Sequence, residues 1–133
     1  MCVFCEIIKG NIPSYKVYED DKEIAILDIS QATLGHTLVI PKKHVKNIFE
    51  LEENDASYLF AITTKLSKKI CKALVVDNVN ILNNNGPIAG QSVDHFHIHI
   101  IPRTEDDGLI IKPESHNLSK DQFEYLLDKI KKA

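Results

Sequence analysis

Cysteine, glycine and proline are scarce in this chain: three, five and five among 133 residues. An odd cysteine count without a secretion-type N-terminus argues against a disulfide scaffold and for a reducing compartment. So few backbone breakers leave no linker, internal repeat or low-complexity segment, and one domain is expected. Long apolar runs are missing too, and the opening Met1-Cys2-Val3-Phe4-Cys5-Glu6 lacks a basic segment followed by an apolar one. Neither a membrane span nor a signal peptide is expected, and the expected location is cytoplasmic. Positive charge is not in excess, since 16 Lys+Arg stand against 19 Asp+Glu for a net charge of −3. That balance excludes a protein that grips nucleic acid by bulk phosphate neutralisation, so an anionic substrate would have to be held by local groups.

What is present is ordinary globular composition, 44% hydrophobic and 26% charged. At this length one core buries roughly two-thirds of the unfolded surface, so a metal is not needed merely to hold the chain together. Short strands come first. Tyr15 to Tyr18 and Ile24 to Ile29 read as a hairpin, and Thr37 to Ile40, stopped by Pro41, as a third strand. Between Glu52 and Val75 the apolar positions Leu59, Ile62, Leu66, Ile70 and Ala73 recur at helical steps, with Lys65, Lys68, Lys69 and Lys72 largely opposite. That lysine run reads as a solvated face rather than a nucleic-acid patch. Val79 to Leu82 and His95 to Ile101 are further strands, separated by an amide- and glycine-rich loop, Asn83 to Ser92. Ser119 with Gln122 has the form of a capping box before an apolar stripe of Phe123, Leu126, Leu127 and Ile130, which predicts a C-terminal helix. The sum is an α+β domain with a five-stranded, mainly antiparallel sheet, a long helix and a C-terminal helix.

His95-Phe96-His97-Ile98-His99 alternates with a period of two. On a strand this puts three imidazoles on one face, with rings about 6.5 to 7 Å apart, and Phe96 and Ile98 on the other. Such a row can serve a metal, or handle protons and phosphate charge near neutral pH. Cys2 and Cys5 form a CxxC pair open to metal binding or to redox work; its place at the N-terminus, outside any βαβ unit, weakens the redox reading. Cys71, alone on the helix, reads as a buried apolar residue.

The run Gly90-Gln91-Ser92-Val93-Asp94-His95-Phe96-His97-Ile98-His99-Ile100-Ile101 resembles the signature of the histidine-triad family of nucleotide hydrolases and transferases. Ile7 to Pro13, Leu27 to Gln31 and His36 to His44 resemble that family's other segments in the same order. The likeness divides the chain into 1–103, the family domain, and 104–133, a tail and helix expected to pack on the same domain.

The resemblance implies a hydrolase cleaving at the α-phosphate of purine nucleoside phosphoramidates or dinucleoside polyphosphates. His97 would attack phosphorus and form a nucleotidyl-histidine. His99, Asn84 and the loop backbone near Gln91 and Ser92 would meet the phosphate charge, and Ser92 would also donate to the leaving group. His36 would support the nucleophile from behind, its plainer reading being a satisfied core histidine. Phe4, Ile7, Ile12, Ile26 and Ile29 would surround the base and Asp28 would take the ribose; the plainer readings are core packing for the isoleucines and a turn or cap for Asp28. Some family members complete a CxxC with two histidines, which implies structural zinc on Cys2, Cys5, His44 and His95. The resemblance further implies a homodimer built on the long helix and a sheet edge, with no nucleic-acid or membrane partner. Competing readings are a nucleotidyl transferase, disfavoured because that branch carries glutamine where this chain has His99, a nucleotide-binding regulatory module with incidental hydrolysis, and a zinc enzyme ligating metal with all three triad histidines.

Overall fold

The computed structural model describes residues 1–133. In chain order the elements are α1 (Val3–Ile8), β1 (Lys16–Glu19), β2 (Glu23–Leu27), β3 (Thr37–Pro41), α2 (Glu53–Leu74), β4 (Asn78–Leu82), a 3-10 turn (Pro87–Ala89), β5 (Ile98–Arg103) and α3 (Lys120–Lys132). The strands form one sheet of order β1-β2-β3-β5-β4 in which every pairing is antiparallel. No helix is long and apolar enough to cross a membrane.

Both faces of the central strands are buried, and period-two alternation sorts their side chains between two cores. Ala25, Val39, Ile98 and Ile100 pack with Leu59, Ile62, Leu66 and Ile70 of α2. Ile24, Ile26, Leu38 and Ile40 face the other way, onto Phe4 and Ile7 of α1. The second face carries the site. Phe96 joins Ile98 in the α2 core, so the three histidines between and beside them are turned toward α1.

Helix α1 has no long periodic pattern to announce it. Cys2 caps it, its Sγ accepting the Cys5 N–H at 3.4 Å. Strand β5 starts at Ile98 rather than His95. Its ladder with β3 runs only from Ile100 opposite Thr37 to Ile98 opposite Val39, because Phe96 N–H turns away to the carbonyl of Val45 at 2.8 Å. The alternation of side chains nevertheless persists through 95–97. The long helix matches its expected span to within a residue at each end, and its lysines are exposed, as is Ala73, which the periodicity had placed inward. Cys71 is half-buried.

Helix α3 departs from expectation in its packing. The capping box is formed, with the Ser119 side chain accepting from Gln122 N–H and the Gln122 side chain accepting from Ser119 N–H. Yet every residue from Ile110 to Ala133 is exposed, including Phe123, Leu127 and Ile130. The tail does not pack on the domain of its own chain. Its stripe is amphipathic, as the periodicity predicts, but the rest of the chain does not cover it.

Candidate active site

The backbone sets the proton positions of the histidines one ring at a time. His95 Nε2 lies 2.7 Å from the carbonyl oxygen of Pro41. A carbonyl only accepts, so Nε2 carries the proton and Nδ1 keeps its lone pair. His97 uses the other nitrogen: Nδ1 donates to the carbonyl of His95 at 2.7 Å, which leaves Nε2 bare. His36 Nδ1 accepts the Ala32 N–H at 3.1 Å, so the proton of a neutral His36 sits on Nε2, 2.9 Å from His99 Nδ1. His99 therefore accepts at Nδ1 and keeps its own proton on Nε2.

These assignments hold for neutral rings, and the surroundings keep them neutral. His36, His95 and His97 are buried, and burial lowers all three below the ordinary histidine range. Burial, reinforced by His97 and His36, brings His99 down to about 4. The ring centroids of His97 and His99 lie 4.9 Å apart, closer than extended-strand spacing, with the planes inclined at 62°.

His97 and His99 line a cavity of about 470 Å³. Of the residues expected at a base and ribose, Phe4, Ile7, Ile12, Ile26, Asp28 and Ile29 all line it, and so does Ser92. Ile29 does so from the rim, 91% exposed, and is no core residue. Phe4 meets both His95 and His97 in T-shaped contacts, with centroids at 5.9 and 5.1 Å. Asp28 accepts the Ser30 N–H at 2.8 Å through Oδ1, the turn role of its plainer reading, while Oδ2 stands 3.6 Å from His36 Nε2.

Asn84 and Gln91 are not among the lining residues. The Gln91 side chain is fully engaged elsewhere, accepting from Gly86 N–H and donating to the carbonyls of Lys46 and Val93, so it braces the loop and has no group left for a phosphate. Asn84 reaches only the Gly90 carbonyl, at 3.4 Å. The neighbouring Asn83 does more for the site, donating to the His97 carbonyl at 2.8 Å. The run Asn83-Asn84-Asn85 marked the region, but nothing in three identical residues tells which one faces the triad. Ser14, Tyr15 and Leu38 also line the cavity and carried no signal beyond strand propensity.

Cys2, Cys5, His44 and His95 bring one ligand atom each within 4.8 Å of one another. His95 Nδ1 is 3.4 and 3.6 Å from the two sulfurs and 3.1 Å from His44 Nδ1, and Cys5 Sγ is 3.3 Å from His44 Nδ1. Zinc bonded at ~2.3 Å to sulfur and ~2.0 Å to nitrogen holds tetrahedral S and N neighbours about 3.5 Å apart, so the donor set fits. The bare Nδ1 of His95 is the nitrogen that faces it. The triad is thus divided: one ring turns to the Cys/His cluster and two to the cavity, which excludes a metal held by all three.

Asp28, His36 and His99 also converge. They are a poor metal site, because His36 Nδ1 already accepts an N–H and its Nε2 must then hold the proton that a metal would displace.

The sequence pattern of the HIT domain family fits residues 9–106, three-quarters of the chain. The chain belongs to this family. Among relatives of this HIT protein, the adenosine 5'-monophosphoramidase hnt1 of Schizosaccharomyces pombe is 40% identical over 130 residues, 97% of this chain and 95% of the relative. The crystal structure of SMU.412c from Streptococcus mutans UA159 superposes with a TM-score of 0.95 at 46% identity, covering 98% of this chain and 83% of that one. A zinc-bound histidine triad family protein from Mycobacterium smegmatis superposes at 0.78 with 35% identity, covering 86% and 84%.

Proposed function

We propose that this HIT protein hydrolyses purine nucleoside phosphoramidates, or related compounds such as dinucleoside polyphosphates, at the α-phosphate through a nucleotidyl-His97 intermediate. One observation carries the reading: His97 donates through Nδ1 to a backbone carbonyl, so its Nε2 is a neutral, unprotonated nitrogen at the cavity wall. Nε2 attacks phosphorus as the bond to the amine breaks, and the leaving nitrogen takes a proton from Ser92 Oγ or His99 Nε2. Water then attacks phosphorus, giving its proton back to the Ser92 Oγ or His99 Nε2 that lost one, and the P–Nε2 electron pair returns to the ring. His99 donates through Nε2 to the charged oxygens. The base lies between Phe4, Ile7, Ile12 and Ile26, and Asp28 accepts from the ribose. The monophosphoramidase activity named for the fission-yeast relative supports this substrate class.

Zinc on Cys2, Cys5, His44 and His95 would be structural, since protein fills all four positions and the metal ties α1 to the sheet. A homodimer through β4 and α2 fits an edge strand flanked by an apolar groove that includes Ile48, Phe60 and Ile81. The deciding experiment is turnover of adenosine phosphoramidate by wild type and His97→Ala. Loss of at least a thousandfold is expected, and equal rates would remove the claim.

A further inference from the structure

The loop joining β2 to β3 is bonded to itself more heavily than a surface turn requires. Gln31 stands in it, exposed and outside the nucleoside cavity. Its Nε2 donates to the carbonyls of Asp28 at 2.5 Å and His36 at 2.7 Å, while its Oε1 accepts the Gly35 N–H at 2.8 Å. One amide thus uses both donors and its acceptor on the backbone, at the two ends of the segment 28–36. Exposed glutamines usually spend these groups on water. Inside the closed segment lies Ala32, whose N–H is bonded to His36 Nδ1.

We propose that Gln31 is a positioning residue for the phosphate chemistry: by closing the loop it holds the Ala32 N–H on His36 and thereby keeps the donor nitrogen of His99 turned to the cavity. The inference rests on the reading of His97 and His99 as the phosphate-handling pair. Its logic is a proton count. With the Ala32 N–H in place, His36 keeps its proton on Nε2, His99 accepts it at Nδ1, and His99 Nε2–H faces outward. Without that N–H, only the Asp28 carboxylate, 3.6 Å from Nε2, still favours the proton there, and His36 gains access to the other neutral tautomer. His99 must then donate through Nδ1, and the nitrogen facing the phosphate becomes a lone pair that repels it. Losing an oxyanion donor outright costs ~10²–10³ in rate, so a population with about nine-tenths of His99 in the wrong tautomer should cost about tenfold.

The test replaces Gln31 by methionine, which keeps the length and removes all three bonds. Ring nitrogen shifts of His36 and His99 are read by long-range 1H–15N NMR on the zinc-loaded protein without substrate. Wild type is expected to show single Nε2–H tautomers for both rings, and Gln31→Met averaged or Nδ1–H signals. With adenosine phosphoramidate, kcat should fall about tenfold while KM stays within about twofold. In a His36→Ala background the same change should cost less than about twofold, because the residue through which Gln31 acts is gone. Unchanged tautomers in Gln31→Met, or an equal loss in both backgrounds, would overturn the proposal. If Gln31→Met does not fold, Gln31→Glu, which turns both donors into an acceptor facing two carbonyls, is read by the same shifts. Absence of turnover in wild type would sink the hydrolase reading, whereas the shifts decide the role of Gln31 without it.

Discussion

A neutral imidazole has one proton for two nitrogens, and here carbonyls of Pro41 and His95 and the amide of Ala32 decide which nitrogen keeps it. Because burial lowers His97 and brings His99 to about 4, both rings stay neutral where an exposed histidine would charge. kcat/KM is therefore expected to hold level from pH 8 down through 6 and to decline only toward 4; a midpoint at about 6.5 in a pH–rate profile would contradict it. For stability, unfolded histidines take protons near pH 6.5 that the folded rings refuse. Their contribution is complete above that pH and is lost as pH falls toward 4. Glu23 works in the opposite direction. It is 2% exposed, its Oε2 has no hydrogen-bond partner, and burial first, then the Asp20 carboxylate, pushes its carboxyl up to about 7, opposed by Lys22. The folded state holds that proton above pH 4.5, so the contribution of Glu23 weakens as pH rises through 7. Glu23→Gln should raise stability by about 2 kcal/mol at pH 8 and change it little at pH 5, measured by urea denaturation. That His97, His99, Ser92 and Asp28 belong together was legible from the motifs that carry the family resemblance, and the structure lines one cavity with all four. That the Gln91 side chain braces its loop was not legible, because a glutamine that braces a turn and one that binds a ligand look alike until their hydrogen bonds are known.

Among the elements, α1 is the one the sequence hid best. Six residues leave too few turns for a periodic stripe, and its cap is a cysteine thiol rather than a hydroxyl or carboxylate. Yet its Phe4 and Ile7 close one wall of the cavity while Cys2 and Cys5, at its start, face His44 and His95. Cys5→Ser, or chelation, is expected to lower the melting temperature by more than about 5 °C and to weaken adenosine monophosphate binding roughly tenfold or more, measured by calorimetry. Unchanged affinity would separate α1 from the metal. The long helix was the most readable element, since twenty-two residues with buried Leu59, Ile62, Leu66 and Ile70 leave little room for another period. Strand β5 was placed correctly and started too early, because side-chain alternation outlasts the ladder that defines a strand.

At the scale of the molecule, the antiparallel sheet clad by a helix on each face followed from the order of short strands around one long helix. What a single sequence does not reveal is where an amphipathic element finds its partner. Two apolar surfaces stay open: the groove beside β4, where Phe60 is 57% exposed, and the stripe of α3. If the proposed dimer forms through this groove, Phe60→Glu is expected to convert it to a monomer by light scattering while leaving the circular dichroism of the fold intact, which a solvent-facing phenylalanine permits. Thirteen residues are also too few for a helix to persist in water on its own sequence preferences. If a second copy of the chain is what covers its stripe, helix α3 will fray on dilution, and trypsin, with Lys120, Lys129, Lys131 and Lys132 to cut at, will trim a dilute solution faster per molecule than a concentrated one, so that equal trimming at both concentrations would leave the stripe to some other cover.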